Sequence, residues 1–102
     1  MGKDSVEKTQ EEIIEEMAKA LGHTGDKLEA VLLKLKKIEQ ELETTDDLDT
    51  YNALIDTFNA TRKQALSRRQ MLMIHREALG VRRHGYVDNF YPIPGKRDKK
   101  KP

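Results

Sequence analysis

Three stretches of the chain repeat apolar residues at helical spacing, and none alternates apolar and polar residues with the two-residue period of a strand. In the first, Val6, Ile13, Ile14, Met17 and Leu21 recur along one side. This predicts a helix from about Val6 to Leu21. Asp4 and Ser5 are suitable N-caps, and Glu7, Glu11 and Glu12 suit the positive end of the helix dipole. Gly22 is a natural residue just past a helix end, so Gly22-His23-Thr24-Gly25 is expected to be a tight connection.

In the second stretch Leu28, Val31, Leu35, Ile38 and Leu42 are spaced three, four, three and four apart, the seam of a coiled coil. A helix is predicted from about Asp26 to Glu43, with Leu32 and Leu33 widening its apolar stripe. Thr44-Thr45-Asp46-Asp47 reads as a turn that supplies the next N-cap.

The third stretch runs from Leu48 to Leu79 with no Gly or Pro inside, and Gly80 ends it. Leu48, Tyr51, Leu54, Ile55, Phe58, Ala65, Leu66, Leu72, Met73 and Leu79 follow its stripe. At ~1.5 Å per residue this helix spans roughly 48 Å, against roughly 24–27 Å for each of the first two. The short turn at 44–47 predicts that the second helix packs antiparallel on residues 48–66. The expected fold is therefore all-α: a helical hairpin or three-helix bundle with a long, overhanging third helix and an irregular basic C-terminal tail. Residues 1–80 form the helical unit and residues 81–102 the tail. The overhang, residues 66–79, would leave an apolar stripe in need of cover.

The tail changes character. Tyr86 to Gly95 holds three of the chain's five aromatic residues together with Pro92 and Pro94. That segment is expected either to fold back on the bundle or to dock a partner through Phe90 and Tyr91. Lys96 to Pro102 is a basic run expected to be disordered, and it resembles a nuclear-localisation run.

Composition tightens this picture. Hydrophobic residues make up 36% of the 102 and charged residues also 36%, so a large closed core is not expected. There is no cysteine, which excludes disulfides and thiolate chemistry, and no apolar run reaches the ~20 residues of a membrane span. A secretory h-region is missing, Met1-Gly2 lacks the Ser or Thr of a myristoylation signal because Val6 stands there, and Asn59-Ala60-Thr61 falls inside a helix. A cytoplasmic location is expected, with the nucleus as the alternative in a eukaryote. The net charge of +1 conceals a split: residues 1–50 carry seven Lys/Arg against fourteen Asp/Glu, and residues 51–102 carry twelve against four. The halves are expected to face each other, the acidic first helix against the basic third, or to face different partners.

No enzyme site emerges. Glu11, Glu12, Glu15 and Glu16 form i,i+4 pairs, but no Glu stands three residues before a His, as a carboxylate-bridged metal site would need. His23, His75 and His84 lack zinc spacing, and neither Ser5 nor Ser67 sits on a nucleophile elbow. Neither cofactor, metal nor small-molecule substrate is implied. The basic residues Arg62, Arg68, Arg69, Arg76, Arg82 and Arg83 carry more weight, because arginine forks to phosphate or carboxylate. Arg62, Arg69 and Arg76 share a face at seven-residue spacing. The leading expectation is a non-enzymatic adaptor or assembly module that works by helix-mediated association with itself or another protein. Leu66, Leu72, Met73, Leu79, Phe90 and Tyr91 would form its partner surface. The alternative is a nucleic-acid-binding protein that uses the arginine-rich helix and the basic tail.

Overall fold

In a computed structural model, which describes the backbone of residues 2–102 and the side chains of residues 9–102, the chain is helical with no strand among the described residues. Helix α1 runs Gly2–Thr44, α2 runs Leu48–Ala78 and α3 is a six-residue helix, Gly85–Phe90. Helices α1 and α2 form an antiparallel hairpin within a rod 73 × 19 × 16 Å in extent. None of the described helices is long and apolar enough to cross a membrane.

The first two predicted helices are one. No break occurs at Gly22-His23-Thr24-Gly25, and the helix starts at Gly2, ahead of the caps expected at Asp4 and Ser5, whose side chains lie outside those described. The reason is energetic. A helical glycine costs only ~1 kcal/mol relative to alanine, and a stop needs a left-handed residue. Gly80 is the only described residue with positive φ, so neither Gly22 nor Gly25 adopts that conformation. Thr24 is also held from both sides: its hydroxyl donates to the Ala20 carbonyl at 2.8 Å and lies 2.7 Å from His75 Nδ1 on α2. The long third helix of the sequence reading is thus the second helix, and the overhang belongs to α1.

The heptad seam of α1 is core. Leu28, Val31, Leu35, Ile38 and Leu42 are buried against Ile55, Phe58, Ala65 and Leu72 of α2. The turn between the helices is built by Asp47, whose carboxylate accepts from the Thr50 backbone N–H at 2.9 Å and from the Thr50 hydroxyl at 2.6 Å. These bonds stabilise the charged form and pull the Asp47 carboxyl below its ordinary range. At the far end α2 closes with a Schellman motif. Val81 N–H donates to the Arg76 carbonyl, Gly80 N–H donates to the Glu77 carbonyl, and Gly80 carries a φ of 88°.

After Gly80 the chain turns back. Val87 of α3 is fully buried, and Tyr91 and Ile93 pack against the core, so the aromatic segment folds onto the hairpin. The run from Lys96, expected to be disordered, is an extended strap along α2. Asn59 and Asn52 each exchange two hydrogen bonds with its backbone, at Arg97 and Lys100. Backbone pairing of this kind depends on the acceptor surface, which the composition of the run does not reveal.

Candidate interaction surface

The partner stripe expected on residues 66–79 is divided: Leu66, Met71 and Ile74 are exposed, and Leu72, Met73 and Leu79 are covered wholly or in part. Leu72 is core, and Met73 and Tyr91 are half-buried against it. Leu79 is half-buried as the C-cap of α2. The cover comes from the continuous α1: Ala18, Leu21, Gly22 and Gly25 face Leu72 and Arg76 across a cleft of about 350 Å³ that Tyr86 and Tyr91 also line. Had α1 broken at Gly22, these residues would have no fixed place beside α2. Leu66 and Phe90 remain exposed, at 39% and 60%.

The aromatic segment forms one cluster beside this cleft. Tyr86 stacks on Phe90 at 4.9 Å between centroids, Phe90 meets Tyr91 edge-on at 5.7 Å, and the Arg76 guanidinium lies 5.6 Å over Tyr86. Burial raises the Tyr91 phenol above its ordinary pKa, and the nearby Glu29, Tyr86 and Asp26 push the same way.

The arginines divide into two groups. Arg62 Nε donates to the Pro94 carbonyl at 2.7 Å, Arg69 pairs with Asp88, and Arg76 donates to the Arg83 carbonyl at 3.2 Å. The shared face of Arg62, Arg69 and Arg76 therefore holds the returning tail. Arg68, Arg82 and Arg83 are exposed.

Two surfaces remain that the sequence did not assign to a partner. One is the projecting end of α1. Residues 9–16 are all exposed, and α2 ends alongside positions 18–24, so about 22 Å of α1 extends past the hairpin. Ile13 and Ile14 on this segment are 50% and 59% exposed, flanked by Glu11, Glu12, Glu15 and Glu16. Among the described residues no ion pair joins these glutamates to an arginine of α2, so the expected pairing of acidic and basic helices is not made within one chain.

No family model, no curated protein and no solved structure matches this chain.

The other surface is the groove under the strap. Asn59 Nδ2 donates to the Arg97 carbonyl at 2.9 Å while Arg97 N–H donates to Asn59 Oδ1 at 3.0 Å. Asn52 does the same with Lys100, at 3.0 and 2.9 Å. Beside each asparagine stands an aromatic ring under the side chain of the clamped residue: the Arg97 guanidinium lies 5.2 Å from the Phe58 centroid, and Lys100 Nζ lies 4.2 Å from that of Tyr51. Arg97 also reaches Glu39 of α1 at 3.9 Å, and Lys99 reaches Asp56 at 3.0 Å. The signal for this site was present as Tyr51-Asn52 and Phe58-Asn59, two aromatic–asparagine pairs seven residues apart. The helix repeat places both pairs on one face, and asparagine is a poor choice for a helix interior unless its side chain has work there. Among the described residues no group of three His, Asp or Glu side chains is arranged to hold a metal ion.

Proposed function

We propose that the chain is a non-enzymatic assembly module that associates through the projecting end of α1. The observation that carries this reading is the pair Ile13 and Ile14, half exposed on a segment of α1 whose described residues 9–16 are all exposed. A helix with an uncovered apolar stripe is ordinarily stabilised by packing against another element. The preferred partner is a second copy. Its exposed Arg68, Arg82 and Arg83, beside the exposed Met71 and Ile74, complement the glutamates around Ile13 and Ile14. Two copies laid antiparallel would set each acidic projection against the basic end of the other hairpin. A heterologous helix of the same basic, apolar character is the second choice.

Size exclusion with light scattering tests the reading. Wild type should form a concentration-dependent dimer that weakens with salt, and Ile13→Glu/Ile14→Glu should be monomeric with unchanged helix content. A wild-type chain that stays monomeric at high concentration rules out self-association. Nucleic-acid binding is the weaker reading, because Arg62, Arg69 and Arg76 are already engaged by the tail. Retention on DNA that is lost in Arg68→Gln/Arg82→Gln/Arg83→Gln would favour it.

A further inference from the structure

We propose that the face of α2 bearing Tyr51-Asn52 and Phe58-Asn59 is a two-subsite reader of extended peptides that carry Lys or Arg at positions three apart, and that the chain's own tail is the resting occupant of a groove open to such a segment from a partner protein.

Each subsite recognises one residue in two ways. The asparagine amide takes the backbone N–H and C=O of the same residue, as a neighbouring strand would, and this contact is blind to side-chain identity. The ring next to it takes the cation. The subsites match in spacing. Seven helical residues advance about 10.5 Å, and three extended residues advance about 10 Å, so Asn59 and Asn52 meet residues 97 and 100 in register. Glu39 and Asp56 add negative charge on either side. Any extended segment with the same two cations meets the same donors, acceptors and rings.

The tail is held in a way that permits exchange. Lys96 to Pro102 is exposed throughout, and every polar contact of residues 97–100 is made at the surface. Exposed pairs contribute little each, while attachment to α2 gives the tail a high effective concentration. A partner segment therefore competes with a tethered ligand rather than filling an empty groove, and its charge and extended shape are the features the groove selects.

The test uses the full-length chain with Arg97→Pro/Lys100→Pro. This removes both N–H donors and both cations from the tail and leaves the hairpin untouched. The probe is a fluorescently labelled peptide with the sequence of residues 93–102, followed by anisotropy. The opened variant should bind it at least about tenfold more tightly than wild type, whose own tail competes. Adding Asn52→Ala/Asn59→Ala should reduce that binding by about tenfold for each asparagine removed, and alanine keeps the helix. A probe with glutamine at the positions of Arg97 and Lys100 should bind weakly. The proposal is overturned if the opened variant does not bind, or if binding ignores the loss of both asparagines. It is equally overturned if tryptic cleavage after Lys99 is no faster in Asn52→Ala/Asn59→Ala, made in the otherwise wild-type chain, than in wild type, since the clamps would not be what holds the tail. Wild-type dimers abolished by Asn52→Ala/Asn59→Ala would assign the groove to the tail of a second copy instead of a partner protein.

Discussion

The Thr24 hydroxyl lies 2.7 Å from His75 Nδ1 and joins α1 to α2 across 51 positions of sequence. Its single hydrogen goes to the Ala20 carbonyl, so the imidazole is the donor and carries its proton on Nδ1. The contact sits where a break in α1 was expected, and it ties the continuing helix to its neighbour. Thr24 is buried, so Thr24→Val should keep the shape and strand the His75 donor, at a cost of about 1–2 kcal/mol. Denaturant titration measures this. A neutral result would mean that water satisfies the imidazole equally well.

Leu35 is 1% exposed in the seam, whereas Leu33 on the same helix is 64% exposed. Leu35→Ala should therefore cost about 2–4 kcal/mol, and Leu33→Ala less than about 0.5 kcal/mol beyond its small propensity change. Equal effects at the two positions would place the seam on the wrong face.

Gly22 has no atom within 4 Å of where a Cβ would stand, and its backbone is helical. Gly22→Ala should stabilise the chain by about 0.5–1 kcal/mol, because alanine loses less backbone entropy on entering a helix. If Gly22 instead ended a helix in the left-handed conformation, the same substitution would destabilise. Thermal melts separate the two outcomes by sign.

Asp47 supplies a pH-dependent cap. Its folded pKa is depressed below the ordinary 3.8 by the bonds to Thr50, so its contribution is present above that value and is lost as pH falls through the folded one. Asp47→Ala should lower the melting temperature at neutral pH, and the gap to wild type should close in acid. Asp47→Ser should keep most of the cap with no such closure. Comparing variants cancels the titration of the remaining carboxylates. A gap that persists unchanged into strong acid would show that charge on Asp47 does not matter.

Much of the hairpin was written in local pattern. The three-four spacing of Leu28 to Leu42 allows only one buried face on a helix, and Asp47 and Gly80 are the residue types that start and stop α2. Those features follow from residue chemistry within a turn or two, which is why they were legible without coordinates. Tertiary contact decided the rest. Whether Gly22 to Gly25 bends or stays helical turns on about a kilocalorie per glycine, a difference that packing of Thr24 on His75 and of Leu21 beside α2 outweighs. That choice moved the overhang from α2 to α1, covered Leu72, and left Ile13 and Ile14 bare. The tail shows the same division. Its sequence contains cations and prolines but no apolar period, so nothing local orders residues 96–102. Its place is determined by Asn52 and Asn59, which lie roughly forty to fifty residues earlier and offer its backbone the hydrogen bonds that its own sequence cannot supply.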